Sequence, residues 1–303
     1  MASTLTMART VSLTDYQPFV RNKADQRTWN WESFYTVGTT NRPQEKYAVY
    51  NGLPLAQLRT ELSAVPYYDV QEIGEVTLTV VKYLLGTRFS YELIEDNQHI
   101  KGLMNDVGEM IGESHGQVVD AYANLPLDRA WATTYQTSYD GKAICATDHP
   151  LLDGTTYSNL ATAATPGYDT LISMLNTYEW SRKNDAGLIA KDKAKFLVVS
   201  KDKYTDWRKI VKNSVEPDTT DRNDTFVKDY GIEIIVDPFL ATNTNFFLLG
   251  DKAKKDFVFL WRKRMKQDEP WDDKDYRAIK IPSETRFGAV LKGHLGIIGN
   301  QGV

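Results

Sequence analysis

The chain has 303 residues, of which 42% are hydrophobic and 25% are charged, so it is long and apolar enough to form a sizeable core. Its formal net charge of −4 disfavours a dedicated nucleic-acid-binding protein, because such proteins normally carry a strongly basic face. A single cysteine, Cys145, excludes an internal disulfide and a cysteine-rich zinc site.

The first 46 residues are predicted to form an extended arm. The segment is polar and has no sustained hydrophobic period, yet it contains more aromatic residues than disordered tails do. Such a segment packs either on the body of its own subunit or on a neighbouring subunit. The neighbour is favoured, so removal of residues 1–46 should leave a folded body. The aromatic residues in question are Tyr16, Phe19, Trp29, Trp31, Phe34 and Tyr35.

Targeting and membrane segments are not predicted. The N-terminal 20 residues lack the roughly 7–15-residue apolar core of a signal peptide, and no stretch reaches the ~20 apolar residues of a membrane span. These features predict a soluble protein that is made in the cytoplasm.

Residues 47–86 are predicted to form a long two-stranded excursion. In its second run, Val76 and Leu78 alternate with Thr77 and Thr79, which is typical of a strand with one buried face. A lone hairpin is only marginally stable in water, so this one is expected to need a partner surface.

One long helix is predicted over residues 96–123. Its apolar residues recur with a period of 3.6 residues, Asp96 occupies the N-cap position, and Pro126 follows the predicted end. His115 fills a gap in the apolar stripe. The stripe consists of Ile100, Leu103, Met104, Val107, Met110, Ile111, Val118, Val119 and Tyr122.

Three glycines, Gly108, Gly112 and Gly116, form a ridge of small residues along one side of this predicted helix. Each costs roughly 0.5–1 kcal/mol of helix stability relative to alanine. Either another backbone lies close to the ridge, or the helix is weak and is braced by a sheet; both interpretations remain open.

The rest of the chain mixes short strands and helices, which predicts an α+β body. Strands are predicted at residues 142–147, 195–200, 231–238 and 245–250, and again at 256–264, 275–282 and 286–299. Helices are predicted over residues 171–180 and from Lys203 onward, the latter with Trp207, Ile210 and Val211 on one face.

Few residues suggest catalysis. Cys145 and His149, with Asp148 beside the histidine, could form a cysteine–histidine nucleophile pair, which defines a remote alternative function as a Cys–His hydrolase. The cysteine lies in an apolar predicted strand and the histidine in a pre-proline turn, where its imidazole would bond nearby backbone. Structural roles are therefore favoured for both.

Metal-binding patterns are also missing from the sequence. His99, His115 and His294 have no partner at metal-ligand spacing. Asp272 and Asp273 could bind a cation weakly, although a solvated loop is favoured. We therefore predict no catalytic, cofactor-binding or metal-binding residues.

The basic run Arg262–Lys266 is the best candidate for contact with a polyanion. It is followed at once by Asp268 and Glu269, which favours mutual charge pairing on an exposed strand.

Four segments, in this order and spacing, resemble the major capsid proteins of tailed bacteriophages, which share the Hong Kong 97-type shell fold. They are YLLGTRFSYELIEDN (83–97), SYDGKAICATDHPLLDG (138–154), KFLVVSKDKYTDWRKIVKNSVEP (195–217) and GIEIIVDPFLATNTNFFLLGD (231–251). The second segment is similar to the subset related to Mu-like head subunits.

The resemblance implies an α+β Hong Kong 97-type fold and a division of the chain. The implied parts are an N-terminal arm (1–46), an E-loop hairpin (47–86), a P-domain with a long spine helix (87–130), a mixed α/β A-domain (131–256), P-domain return strands (257–286) and a C-terminal strand segment (287–303).

The implied function is structural rather than enzymatic. Copies of such a protein self-assemble as pentamers and hexamers into an icosahedral shell, assembled in the host cytoplasm, around double-stranded DNA that they contact non-specifically. A separate scaffolding protein, a portal and decoration proteins are the implied partners, with no cofactor and no membrane. The alternative within this class is an encapsulin-like nanocompartment shell.

Some relatives join an E-loop lysine to an asparagine by an isopeptide bond. Lys82 lies near the corresponding segment, but no motif supports that chemistry, so cross-linking is not inferred.

Overall fold

The computed structural model describes residues 29–58, 61, 64–96, 100–212, 227–240, 242, 244–251 and 253–303. Its strands are β1 (Thr36–Thr39), β2 (Gln44–Tyr50), β3 (Glu72–Thr79), β4 (Val81–Ser90), β5 (His149–Pro150), β6 (Thr156–Tyr157), β7 (Ala194–Ser200), β8 (Glu233–Asp237), β9 (Phe246–Gly250), β10 (Phe257–Gln267), β11 (Trp271–Asp273), β12 (Ala278–Leu291) and β13 (Ile297–Asn300).

The α-helices are α1 (Tyr91–Asp96), α2 (Ile100–Asp128), α3 (Tyr168–Asn176), α4 (Tyr204–Lys212), α5 (Val227–Tyr230) and α6 (Ala253–Asp256). A 3₁₀ turn at Asn30–Ser33 precedes β1, and a π-helical turn at Thr177–Ser181 extends α3. Within the described residues, no helix is long and apolar enough to cross a membrane.

A five-stranded sheet forms one half of the body. Its central strand β12 pairs antiparallel with β10 and β11 along one edge and with β4 along the other, while β1 runs parallel to β10. The two predicted C-terminal segments 275–282 and 286–299 are therefore mostly one strand, β12, followed by the short β13.

The long helix α2 packs on one face of this sheet, as its hydrophobic period predicts. Ile111 contacts a cluster formed by Phe89, Ile279 and Ile281, and the imidazole of His115 lies 2.9 Å from the hydroxyl of Ser283. The predicted helix and the burial of His115 are confirmed. Met110, predicted in the buried stripe, is exposed instead.

Both predicted ends of the long helix are wrong. Asp96 is itself helical, in α1, and is therefore not the N-cap, while residues 97–99 lie outside the described residues; Pro126 lies inside α2, which continues to Asp128. Because proline has no N–H, Pro126 removes the intrahelical hydrogen bond to the carbonyl of Tyr122, and the helix continues for only two residues beyond it.

The second half of the body is a four-stranded sheet in the order β13-β9-β7-β8. One face of this sheet packs on α3 and on the side chains of Trp207, Ile210 and Val211 in α4. The other face packs on the C-terminal part of α2 and on the five-stranded sheet, and together they form the main core. Burial on both faces explains why β7 and β9 are almost continuously apolar.

The predicted strand at residues 142–147 is wrong. This segment is irregular, and the side chain of Asn159 takes the place of a neighbouring strand: its amide oxygen accepts from the backbone N–H of Ala146 at 2.9 Å, and its amide nitrogen donates to the carbonyl of Ile144 at 2.7 Å. An apolar run indicates burial, but it does not reveal which partner satisfies the backbone.

The aromatic residues of the predicted arm pack on their own subunit wherever they are described. Trp31, Phe34 and Tyr35 are buried in the main core beside Phe257 and Phe259. This corrects the expectation that they cover a neighbour; Tyr16 and Phe19 lie outside the described residues.

Candidate functional site

Among the described residues, the most exposed apolar surface is formed by residues 50–71, which are the last residue of β2 and the loop that leads to β3; all but four of these residues are described. The side chains of Leu58 and Tyr67 are 99% and 90% exposed. Contiguous exposed apolar residues mark interaction sites in soluble proteins. The other exposed members are Tyr50, Leu53, Leu55, Val65, Tyr68 and Val70.

The hairpin that carries this loop is anchored on its own chain. Strands β2 and β3 pair antiparallel, with Val76 and Leu78 buried against Val258, Leu260 and Val290, as the alternation in the sequence predicts. The hairpin therefore has a partner surface at its base, and only the loop beyond it is uncovered.

Gly74 fixes the path of this hairpin. A Cβ atom at that position would lie 2.3 Å from the carbonyl oxygen of Tyr139, so only glycine allows the two backbones to approach this closely.

The predicted basic run Arg262–Lys266 lies on β10, and its charge pairing differs from the prediction. Lys263 pairs with Glu284 across the strands, and its contact to Asp268 at 3.6 Å is secondary. Lys82 approaches the same carboxylate at 2.8 Å.

Glu284 is consequently buried among cations. The ammonium of Lys263, followed by that of Lys82, lowers the pKa of Glu284 to about 2. The acidic pair of the sequence is likewise engaged: Asp273 pairs with Lys280, and Asp272 accepts a hydrogen bond from Tyr91. Both lie on β11 rather than in the predicted solvated loop.

A buried polar cluster joins residues that are far apart in the sequence. The rings of His149 and His294 stack with their centroids 3.6 Å apart and 6° between their planes. Nδ1 of His149 lies 2.6 Å from a carboxylate oxygen of Asp140, and Nδ1 of His294 lies 3.8 Å from the same oxygen. Both histidines are almost completely buried.

Asn159 determines the protonation of His149. Its amide nitrogen donates to the carbonyls of Ile144 and His294, so its Oδ1 is the atom that faces Nε2 of His149 at 3.0 Å. Because Asp140 and Asn159 both offer acceptors, both ring nitrogens of His149 donate. The prediction that this imidazole bonds nearby backbone is wrong.

His294 is the neutral member of the pair. Burial, and then the proximity of His149, lower the pKa of His294 to about 3, while Asp140 acts in the opposite direction. Although burial raises it, the hydrogen bond from His149 holds the pKa of Asp140 below its ordinary value.

The three side chains lie close enough together to be considered as metal ligands, since one donor atom from each falls within 4.8 Å of the others. Imidazole binds a metal through a lone pair in the plane of its ring. Two rings stacked with 6° between their planes keep these lone pairs in two nearly parallel planes 3.6 Å apart at the ring centroids, so they do not converge on one ion. The cluster fits a shared proton better than a metal.

Cys145 and His149 do not form an activated nucleophile pair. Burial raises the pKa of the Cys145 thiol well above its usual range, which disfavours the nucleophilic thiolate. Both nitrogens of His149 already face oxygen acceptors, so this ring has no free base for a thiol.

Comparison with known proteins places these features in a family context. The sequence model of the family described as "Phage capsid protein" matches residues 74–297. No curated protein matches the chain significantly.

Among solved structures, the asymmetric unit of the bacteriophage PhiM1 mature capsid is similar at a TM-score of 0.60 and 13% identity, over 92% of this chain and 88% of that one. A Microbacterium phage Oxtober96 structure reaches 0.59 at 9% identity, over 91% and 92%. A virus-like particle from Pyrococcus furiosus reaches 0.52 at 10% identity, over 95% and 98%.

Proposed function

The chain belongs to the phage capsid protein family, and we propose that its copies assemble as pentamers and hexamers into an icosahedral shell around double-stranded DNA. The Hong Kong 97-type fold predicted from the sequence is confirmed. The chain is therefore a structural protein of the virion. We propose in addition the pentamers and hexamers, the enclosed DNA and assembly in the host cytoplasm.

The exposed apolar loop 50–71 supports this proposal most directly. Burying apolar surface contributes about 25 cal/mol per Å², so a loop with this many exposed leucines and tyrosines gains stability by lying on another surface. Its own chain buries the base of the hairpin but not the loop. We therefore assign the loop to contact with a neighbouring copy, as expected for an E-loop.

The test is assembly of a loop variant of the full chain. Leu55, Leu58 and Tyr67 are each at least 73% exposed, so changing all three to serine should leave the melting temperature of the subunit nearly unchanged. Electron microscopy and sedimentation should then show folded subunits or small oligomers in place of closed shells.

The matched control is Gln57→Ser, which changes an exposed polar residue of the same loop and should assemble normally. Normal shells from the triple variant would exclude the loop from the interface. Failure of the parent chain to form any particle would count against the shell itself.

The encapsulin-like alternative also predicts a shell, so formation of closed particles does not by itself separate it from the virion shell. The contents of particles purified from the native source distinguish the two. Nuclease-protected DNA supports the virion shell, whereas a defined enclosed protein without DNA supports the nanocompartment.

The remaining partners follow from the assembly proposed. A closed shell of many copies needs size control and an entry point for DNA, so we retain a separate scaffolding protein, a portal and decoration proteins as proposed partners. The division into arm, E-loop, P-domain, A-domain and C-terminal segment also remains a proposal; its boundary between 286 and 287 falls inside β12, and that at residue 46 inside β2.

A further inference from the structure

The stacked histidines lie at the junction between two parts of the chain that the fold must hold together. His149 is the first residue of β5, after the irregular segment that follows α2, and His294 lies in the connection between β12 and β13. The hydroxyl of Ser138, in the first of these parts, lies 3.1 Å from Nδ1 of His294. These contacts connect the two parts across 145 residues of sequence.

The cluster is connected directly to β13. The amide nitrogen of Asn159 donates to the carbonyl of His294 at 3.1 Å and lies 3.4 Å from that of Ile297, the first residue of β13. The backbone N–H of Gly299, on the same strand, donates to the carbonyl of Asn159 at 3.0 Å. Within the four-stranded sheet β13 is the end strand and pairs with β9, and its outer edge is covered by Asn159 and the residues that follow, among which Ala161 donates to the carbonyl of Gly299 at 2.9 Å. The contacts of Asn159 therefore help to stabilise the sheet edge.

The stack accepts one positive charge and not two. His149 donates from both ring nitrogens and is the cation, which Asp140 balances. A proton added to His294 would place a second imidazolium face to face with the first, at 3.6 Å between centroids and away from water. Asp140 cannot balance both charges, since it already accepts from His149.

We propose that the His149–His294 stack is an acid-sensitive clasp: protonation of His294 separates the two rings and releases residues 292–300 from the edge of the four-stranded sheet. The proposal concerns the folded chain itself and does not depend on the assembly proposed above.

Among the residues that the structure describes, none supplies His294 with another counter-charge at contact distance. The ring of Tyr139 stacks with that of His294 at 5.3 Å between centroids, and the ring of Tyr157 lies at 6.2 Å. The charged groups near these elements already have partners. Asp185 accepts from Tyr139, and Lys142 pairs with Asp148. Asp256 accepts from the backbone N–H of Gly296 and is attracted by Lys292, while Arg182 pairs with Asp192 and donates to the carbonyl of Leu295.

The direction of the pH dependence follows from proton linkage. A histidine whose pKa is lowered by folding stabilises the closed state above its ordinary pKa of roughly 6.5, and this stabilisation is lost as the pH falls toward the folded value of about 3. At pH 5 the open form of the clasp should be favoured about thirtyfold more than at pH 7.5, from an open-state pKa of roughly 6.5.

Hydrogen exchange of the full-length chain tests the proposal. Protection factors, corrected for the intrinsic pH dependence of exchange, are measured for the amides of residues 292–300 between pH 7.5 and pH 5. We expect them to fall by about an order of magnitude or more, since they report local opening. Unchanged protection of these amides in the parent chain would overturn the proposal without any variant.

The discriminating variant is His294→Phe, which keeps an aromatic ring against the His149 cation but cannot be protonated. It should remove the pH dependence of residues 292–300. His115→Phe is the matched control, because His115 is also buried and burial also lowers its pKa. His115 lies on α2 against Ser283 of β12, away from the stack. This control should keep the dependence.

A His294→Phe chain that retains the parent's pH dependence would contradict the clasp. Loss of the dependence in His115→Phe as well would also contradict it, since the effect would then belong to the whole fold. If His294→Phe fails to fold, the measurement on the parent chain still decides. The ring proton shifts of the parent's histidines give a second measurement, in which His294 should titrate only over the pH range where the amides lose protection.

Discussion

Gly112 lies on the buried face of the long helix α2, as do Gly108 and Gly116. The same face carries Ile111 and His115, which contact the five-stranded sheet. Of the two interpretations of the glycine ridge, burial favours the close-packing surface, because an exposed ridge would bring a helix-propensity cost with no packing gain.

We predict that Gly112→Leu lowers the melting temperature of the subunit. Leucine improves helix propensity by roughly 0.5–1 kcal/mol, but overpacking a buried position costs about 1–3 kcal/mol. Thermal unfolding followed by circular dichroism measures the balance. Glu113→Leu, at the exposed adjacent position, is the control and should change stability by less than roughly 0.5 kcal/mol. A higher melting temperature for Gly112→Leu would mean that the ridge is open.

Asp237, at the end of β8, is a buried carboxylate with an unusual environment. One oxygen accepts from the side chain of Asn124 and from the backbone of Phe239, while the other has no partner among the described residues. Burial, followed by the repulsion from Asp128 and Asp120, raises the pKa of Asp237 to about 7.

A carboxyl group whose pKa is raised by folding stabilises the folded state in acid, and that stabilisation is lost as the pH rises from roughly 4 through 7. We predict that Asp237→Asn removes this loss and makes the chain roughly 2–4 kcal/mol more stable than the parent at pH 8, with a difference that shrinks steadily as the pH falls and is small at about pH 3.5. Urea unfolding at the two pH values measures it. Asp229→Asn, at an exposed position of α5, should not alter the pH profile; a parent-like profile for Asp237→Asn would contradict the assignment.

At the scale of elements, the segment from Trp29 to β2 is part of the body rather than a detachable arm. Strand β1 pairs with β10, and the hydroxyl of Tyr35 donates to the carbonyl of Ala123 in α2 at 2.7 Å. Phe34 packs edge-on against Phe257. These contacts hold β10 and the long helix together at the main core.

We therefore predict that deletion of residues 1–46 abolishes folding of the subunit, in contrast to the expectation from sequence. In the full chain, Phe34→Ala should lower the free energy of unfolding by about 3–5 kcal/mol, because it removes a large buried side chain. Denaturant unfolding measures this effect, with Ser33→Ala, at a half-buried position of the same turn, as the control that should lose much less stability. A soluble, cooperatively unfolding product of the deletion would show that these contacts are dispensable.

At the scale of the whole molecule, the net charge of −4 limits affinity for DNA. The basic strand β10 does not change this, because Lys263 is already paired with Glu284. We predict little binding of duplex DNA by the purified chain at physiological salt, with affinity that falls as salt rises and does not depend on sequence. Fluorescence anisotropy with two unrelated duplexes measures it; submicromolar binding that prefers one duplex would contradict the prediction.

The sequence alone determined the helices and strands that can be predicted from the spacing of nearby apolar residues. The 3.6-residue period predicted α2, the apolar runs predicted β7 and β9, and the buried face of α4 followed from the spacing of Trp207, Ile210 and Val211. The order of such elements was enough for the family resemblance. Local signals succeed here because helices and buried strands impose a fixed spacing on the residues that must leave water.

Only the tertiary structure decided which distant groups meet. Sequence spacing could not bring His294 onto His149, give Glu284 its two lysines, or put the side chain of Asn159 where a strand was predicted. It also could not show that Trp31 packs on its own chain, since an aromatic residue seeks an apolar surface without specifying whose it is. Such pairings depend on chain topology, because a buried polar group must find its partner in space and the sequence around it carries no record of that partner.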